Sequence, residues 1–390
     1  MHIVFLLFCR DGYEYLLIER ILKEVSQKIN RRLLHVANYP VGLKPRMDKV
    51  MSHLNHGSDD VVHMIGIWGT GGIGKSTIAR AVYNSISDQF DGFCCFLENV
   101  RENSDKYGLV HLQERVLSEI FRDEITLGNL SNGKSTMERR LCGKKVLLVL
   151  DDVDQTGQLQ AIVGEPNWLC LGSRVIITTR DSGLLRKHNV NVTYDVEELS
   201  DYEARQLLTW NAFKVDKADT RYTTILDRAM RYASRLPLAL EVIGSNLFRK
   251  GEEECMLTLD QYDKYTDKEI DDILKVSYVS LDEDEKKVFL DIACCFEGYK
   301  LSDVENILHA HHGSPMRLSI ESLIEKSLIK IDDYLVTLHQ LIRDMGRDIV
   351  RQESQEPAKR SRLWFWEEVV QVLEQNNVSK TAFVRLSFRL

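Results

Sequence analysis

The sequence has no Cys-x-x-Cys pair, no apolar run long enough to cross a bilayer, no fixed-period repeat and no low-complexity tract. Each absence removes a class of protein. Eight cysteines are scattered over 390 residues, with two adjacent pairs, Cys94–Cys95 and Cys294–Cys295. Neither zinc-ligand spacing nor a secreted disulfide framework fits that distribution, and a reducing interior is expected. The apolar run Ile3–Cys9 falls far short of the ~20 residues of a membrane helix. No basic residue precedes it and no small-residue cleavage site follows, so it reads as a strand or the end of an upstream domain rather than a signal peptide. Basic charge is also short. The 51 lysines and arginines face 59 acidic residues, a net charge of −8, whereas a general nucleic-acid binder needs a basic face. What remains is an ordinary globular balance, 44% apolar and 28% charged, in a chain long enough for two or three domains.

Two stretches match the phosphate-loop pattern G-x-x-x-x-G-K-[ST]: "GTGGIGKST" at 69–77 and "GNLSNGKST" at 128–136. Such a loop must curl tightly so that successive N–H groups face phosphate oxygens, with a helix N-terminus behind them. Glycine suits its inner positions, because it turns without steric cost. The first match supplies Gly69, Gly71, Gly72 and Gly74 and runs on through Ile73, Lys75, Ser76 and Thr77. It is preceded by a buried-strand pattern, "VVHMIGIW", and followed by a helix with Ile78, Val82 and Ile86 on one face. Between its end glycines the second match offers only Asn129, Leu130, Ser131 and Asn132, after the mostly polar "FRDEITL". The first is therefore assigned to phosphate, with Lys75 as its cation. The second is assigned to a surface loop leading into a helix, with Lys134 uninvolved.

Apolar runs alternate with helical patterns through the first half: strands at 61–68, 93–97, 145–150 and 174–179, helices at 76–87, 111–121 and 155–163. This predicts an α/β domain with a mostly parallel sheet flanked by helices. From about residue 200 helices take over, at 201–213, 222–233 and 238–248. Helices at 284–295, 302–309 and 316–327 then lead to the hairpin "LIKIDDYLVTL" and a closing helix, a winged-helix pattern. Toward the N-terminus an amphipathic helix is expected over 13–34, ended by Pro40, Gly42 and Pro45.

A phosphate loop needs a metal partner. "KKVLLVLDDVD" runs five apolar residues into Asp151 and Asp152, which places both carboxylates at the sheet's carboxyl edge, where ligands bind in open α/β folds. Ser76 and Asp151 are the expected Mg²⁺ ligands, and Asp152 is the candidate to orient or deprotonate a water. The next strand ends in Thr178, Thr179 and Arg180, a polar tip suited to sensing a γ-phosphate.

In this order the motifs resemble the nucleotide-binding (NB-ARC) region of plant intracellular disease-resistance proteins, of the class with an N-terminal Toll/interleukin-receptor domain and C-terminal leucine-rich repeats. The resemblance is carried by "PVGL" at 40–43, "GIWGTGGIGKST" at 66–77, "FDGFCCFLENVRENS" at 90–104, "KKVLLVLDDVD" at 144–154, "GSRVIITTRD" at 172–181, "LPLAL" at 236–240, "FLDIACCF" at 289–296 and "RSRLW" at 360–364. It implies an N-terminal linker segment over 1–40, a P-loop domain over 41–198, a helical-bundle domain over 199–265, a winged-helix domain over 266–352 and a linker toward a repeat domain over 353–390. It also implies roles: Pro237 and Val41 on either side of an adenine, Arg180 at the γ-phosphate, and His339 reaching the β-phosphate of ADP. The implied protein is a switch in the cytoplasm or nucleus, closed with ADP and self-associating with ATP, at most a slow Mg²⁺-dependent ATPase. The resemblance makes the winged helix an interdomain clamp rather than a DNA reader, and helix 316–327 has only Arg317 and Lys326 as basic residues. In two places the sequence departs from the family. Arg235 stands where the family's Gly-Leu-Pro-Leu has glycine, and Gln340 stands where an Asp follows the histidine. A P-loop ATPase or kinase with genuine turnover and a winged-helix DNA-binding regulator are the competing readings.

Overall fold

The computed structural model describes residues 33–55, 61–164, 168–190, 192–262, 270–312, 316–374 and 383–384. The run Ile3–Cys9 and nearly all of the helix expected over 13–34 lie outside the described residues, as does the alternating pattern after Val384. The chain forms two compact units. One takes residues 33–37, Met47–Ile67 and Ser76–Tyr194; the other takes Asn38–Arg46, Trp68–Lys75 and Asp195 onward.

The first unit is built on a five-stranded sheet of β1 (His63–Trp68), β2 (Cys94–Leu97), β3 (Leu147–Val153), β4 (Arg174–Thr179) and β5 (Val192–Asp195), in the order β2-β3-β4-β1-β5. β3 pairs in parallel with both β2 and β4. Their side chains are buried almost throughout, which is why the sequence runs apolar there instead of alternating. Helices α1 (Leu43–Asn55), α2 (Lys75–Ile86), α3 (Val100–Phe121), α4 (Leu130–Leu141), α5 (Thr156–Ile162) and α6 (Ser182–Lys187) fall before and between the strands. Two of them correct the sequence reading. Pro45 does not end structure but sits in the first turn of α1, where its missing N–H breaks no helical bond. α3 starts at Val100 rather than 111 because it is two helical pieces joined at Gly108, whose φ of 79° kinks the axis.

In the second unit α7 (Asp201–Phe213), α8 (Thr223–Ala233), α9 (Pro237–Leu247) and α10 (Glu252–Asp260) form the helical bundle. Ser200 and Glu203 close a capping box on α7. The acidic stretch after 251 holds α10, and its charge is explained by Glu252, Glu253 and Glu254 in the first turn, where carboxylates favour the helix dipole. Next come α11 (Ile270–Val279), α12 (Glu283–Asp291), α13 (Leu301–His312), α14 (Arg317–Glu325), the antiparallel hairpin of β6 (Lys330–Asp332) and β7 (Leu335–Thr337), and α15 (Gln340–Glu353). Three helices and a hairpin make the winged helix that the pattern predicts. The last described elements are β8 (Arg362–Leu363), α16 (Trp366–Glu374) and β9 (Phe383–Val384).

One apolar core runs through this unit. Leu238 and Val242 of α9 share it with Phe289, Leu323, Val336, Leu341 and Ile342 of the winged helix. After α12 the chain widens into a π-turn over Ile292–Phe296. There Gly346 of α15 comes so near that a Cβ would lie 2.7 Å from the Cβ of Ala293. A buried ion pair ties the end of the chain to this core. The Asp291 carboxylate, 1% exposed, accepts from Arg362 Nε at 2.7 Å and lies 2.8 Å from His312 Nε2. Arg362 also donates to the Lys287 carbonyl at 3.1 Å. Removing one partner of such a pair strands the other charge in the interior. Arg362→Ala should therefore destabilise the second unit by roughly 3 kcal/mol or more, read as a shift of the urea unfolding transition reported by tryptophan fluorescence.

Candidate functional site

The strand–loop–helix context of the first phosphate-loop match is present. β1 ends at Trp68, whose carbonyl accepts from Val196 N–H at 2.9 Å. The loop then turns through Gly72 (φ 75°) and Gly74 (φ 102°), conformations that favour glycine. Packing sets a further constraint at Gly71 and Gly72. A Cβ on Gly72 would stand 2.9 Å from Leu238 Cβ, and one on Gly71 would stand 2.9 Å from Leu341 Cδ1. The Gly72 carbonyl in turn accepts Leu238 N–H at 3.2 Å. So the loop is gripped by the first turns of α9 and of α15. Ile73 is buried beneath it, and the buried Lys75 ammonium donates to the carbonyls of Gly69 (2.9 Å) and Thr70 (2.8 Å).

Those two first turns carry further expected residues. Pro237 occupies N1 of α9, where its fixed φ suits a helix start. His339 caps α15, its Nδ1 accepting Leu341 N–H at 3.2 Å. With Nδ1 used as an acceptor, Nε2 is the proton-bearing nitrogen of the neutral ring. Gln340 opens the helix behind it. Val41 lies in a turn with Gly42 (φ 61°), whose carbonyl accepts from Arg46 at 2.7 Å. Arg46 also bonds the Glu198 carbonyl and both oxygens of Glu203. The Pro237 turn meets the same segment, since Leu199 N–H donates to the Arg235 carbonyl at 3.3 Å. Residues 198–203 thus tie the Val41 turn to the Pro237 turn. Arg235 keeps the glycine-like backbone of that turn at φ 56°, and its guanidinium binds Glu198 Oε2 at 2.6 Å and 3.1 Å.

The first unit gathers the rest. Asp151, only 4% exposed, hydrogen-bonds Ser76 and accepts from Thr178 Oγ1 at 2.6 Å. Burial pushes its carboxyl above the usual range, while Thr178, the Arg80 guanidinium and Ser76 pull the other way. Thr178 spends its one proton on Asp151 and accepts Asp152 N–H at 2.8 Å. Here β3 bulges: its register with β4 shifts between Leu150 and Val153, and Asp152 takes a φ of 58°. The Asp152 carboxylate lies between two guanidiniums, Arg101 Nε at 3.3 Å from Oδ2 and Arg180 Nε at 3.8 Å from Oδ1. Thr77, half-buried, follows Ser76 in α2. A serine hydroxyl bonded to a carboxylate is a hard oxygen pair that fits Mg²⁺, which takes few protein ligands and leaves its other positions to phosphate and water.

The second match is not a loop. Leu130–Leu141 is already helix, capped by Asn129, whose side chain accepts Asn132 N–H at 2.9 Å. Its Gly133 is explained by packing, because a Cβ there would collide with the fully buried Gln113 side chain. Sequence reasoning missed Arg80 and Arg101. Arg80 had a signal, since it follows Ser76 by one helical turn and shares its face. Arg101 had none, because only the sheet order brings it to Asp152.

A parallel sheet with a glycine loop after β1 and a Ser76–Asp151 oxygen pair, followed by a helical region and a winged helix, defines a P-loop nucleotide-binding protein. Residues 43–218 match the NB-ARC domain family, and residues 282–354 match the winged-helix domain of Roq1-like disease resistance proteins. The chain therefore contains an NB-ARC domain and a winged-helix domain of the Roq1-like type. It is 38% identical over 376 residues to TMV resistance protein N of Nicotiana glutinosa, covering 94% of this chain and 32% of that protein. To the disease resistance proteins RUN1 and RPV1 of Vitis rotundifolia it is 36% and 37% identical, covering 91% of this chain in each case and 27% and 25% of those proteins. The chain therefore spans about a quarter to a third of the length of these relatives. Among the described residues no helix is long and apolar enough to cross a membrane.

Lys75→Ala removes a charge-assisted contact of about 1.5–3 kcal/mol, so adenine-nucleotide affinity should fall at least tenfold. Lys134→Ala, on the capped helix, should leave it nearly unchanged. Titration calorimetry with ADP distinguishes the two matches directly.

Proposed function

We propose that this chain is the ADP/ATP-dependent switch of a plant intracellular immune receptor. The observation that carries the reading is the grip on the phosphate loop. Gly71 and Gly72 are pressed by Leu341 and Leu238, from the first turns of the winged-helix α15 and of α9. The loop that would hold the nucleotide is thereby in contact with the elements that must move if the protein is to switch.

In this reading the N–H groups of Gly69–Thr77 and the Lys75 ammonium take the phosphates. Ser76 and Asp151 would hold Mg²⁺, which would supply positive charge against the phosphates. Pro237 and Val41 flank the adenine, and His339 donates from Nε2 to the β-phosphate of ADP. Arg180 meets the γ-phosphate when ATP replaces ADP. Self-association follows ATP binding, and the switch works in the cytoplasm or nucleus as part of a longer receptor with Toll/interleukin-receptor and leucine-rich-repeat domains.

Two competing readings find less support. A turnover enzyme needs a group to orient the attacking water. Asp152 is the one candidate, and both its oxygens are engaged by arginines, so hydrolysis is slow at best. A DNA reader needs free basic residues on α14. Its Arg317 is paired with Glu321 at 2.9 Å and the following Lys326 with Glu285 at 2.8 Å, and we assign the protein no nucleic-acid partner.

Nucleotide released from the purified protein by denaturation should be ADP; protein that carries no nucleotide and binds none on addition would rule the switch out. Asp151→Asn should weaken Mg²⁺-dependent ATP binding by roughly tenfold or more and ADP binding by much less, because the carboxylate would hold the Mg²⁺ that offsets the larger charge of the triphosphate. Equal losses for both nucleotides, with and without Mg²⁺, would give Asp151 a structural role instead.

A further inference from the structure

We propose that Arg101 is a positioning residue for ATP recognition: by holding Asp152 it fixes Arg180 where the γ-phosphate is read. The inference rests on the nucleotide-switch reading and adds to it a residue that the reading does not use.

The sheet order makes the arrangement. β3 lies between β2 and β4, so the chain leaving either neighbour passes the tip of β3. Arg101 comes from the first turn of α3, directly after β2, and Arg180 directly follows β4. Asp152 stands between them at the tip of β3 with one oxygen for each, Oδ2 at 3.3 Å from Arg101 and Oδ1 at 3.8 Å from Arg180. Its backbone is pinned as well, in the left-handed region at φ 58° and bonded through N–H to Thr178. A non-glycine residue in that region persists where its surroundings over-determine it, which is common at ligand sites.

The two arginines are not equivalent. Arg101 makes the shorter pair and is the less exposed, 28% against 36% for Arg180. Arg101 is therefore the closer partner of Asp152, and Arg180 the more exposed one. Helix stability does not account for Arg101, since a cation in a helix's first turn opposes the macrodipole. Its electrostatic surroundings do: the Asp152 carboxylate lies beside it, and its charge also acts on Asp105. Asp105 is pushed up by burial and by Asp154 and drawn down by Arg101. Asp152, with both oxygens committed, orients arginines rather than accepting a proton from water. With Arg180 Nε 3.8 Å from its carboxylate, Asp152 biases the position of that guanidinium by charge, and a biased fork loses less freedom when it binds a phosphate.

The test is equilibrium binding of ADP and of a non-hydrolysable ATP analogue, with Mg²⁺, to the full chain and to four variants: Arg101→Ala, Arg101→Lys, Arg180→Ala and the double alanine variant. Arg101→Ala should weaken the ATP analogue roughly five- to thirtyfold and leave ADP within about twofold. Arg101→Lys should recover part of the loss, and the double variant should bind the analogue no more weakly than Arg180→Ala alone. Equal losses for both nucleotides with a lowered melting temperature would mean that Arg101 only supports the fold. Additive losses in the double variant would mean that it does not act through Arg180. Either result overturns the proposal. If Arg180→Ala leaves the preference between the two nucleotides unchanged, the nucleotide reading of Arg180 fails first, and the role of Arg101 falls with it.

Discussion

A carboxylate at the end of a buried strand keeps its charge only if donors or cations surround it, and Asp151 imposes that requirement on the first unit. Thr178 must stand near the end of the neighbouring strand, so β4 has to lie beside β3. Ser76 must open a helix within reach, and Arg80 must follow one turn later on the same face. The bulge in β3 and the unusual backbone of Asp152 follow from the same demand, because Thr178 serves both residues with one hydroxyl. A site able to take a hard cation is thus also the place where the sheet's register is fixed.

In the second unit the equivalent constraint is steric. Side chains at 71 and 72 would collide with Leu341 and Leu238, so the loop's glycines serve two purposes at once. They permit the turn, and they admit two helix starts to within van der Waals distance of the backbone. Leu238 and Leu341 also belong to one continuous apolar core. A shift of either helix start relative to the loop therefore disturbs packing well beyond the loop. This is the physical basis on which a small ligand could alter the arrangement of a winged helix.

Much of this was legible in the sequence, for identifiable reasons. The phosphate loop was readable because glycine spacing, a preceding strand and a following helix agreed. Asp151 was readable because a carboxylate closing a buried apolar run is costly unless donors or a cation meet it there. The winged helix was readable from three helices and a hairpin. α1 was hidden because Pro45 reads as a breaker unless the helix start is known. α10 was hidden because its acidic first turn resembles a solvated stretch. β5 was hidden by its length of four residues, of which one is buried. Gly133 shows the opposite error that a pattern invites: it completes a phosphate-loop motif, yet its glycine is dictated by Gln113. Arg101 could not be found from spacing at all, since its partner is set by which strands are neighbours.

The turn before Pro237 has a consequence in ionic strength. Arg235 holds a left-handed backbone that costs an ordinary side chain about 1–2 kcal/mol and glycine almost nothing. What offsets this is the pairing of its guanidinium with Glu198, and more distantly with Asp201 at 3.5 Å, all of it roughly half exposed to water or more. Exposed pairs of that kind contribute little and weaken as the Debye length contracts, from ~10 Å at 0.1 M salt to ~3 Å at 1 M. Dilute buffer therefore leaves the turn nearly balanced, and concentrated electrolyte leaves it strained. A glycine at 235 would be indifferent to salt; with arginine there, the segment leading into α9 is tuned by the ions around it.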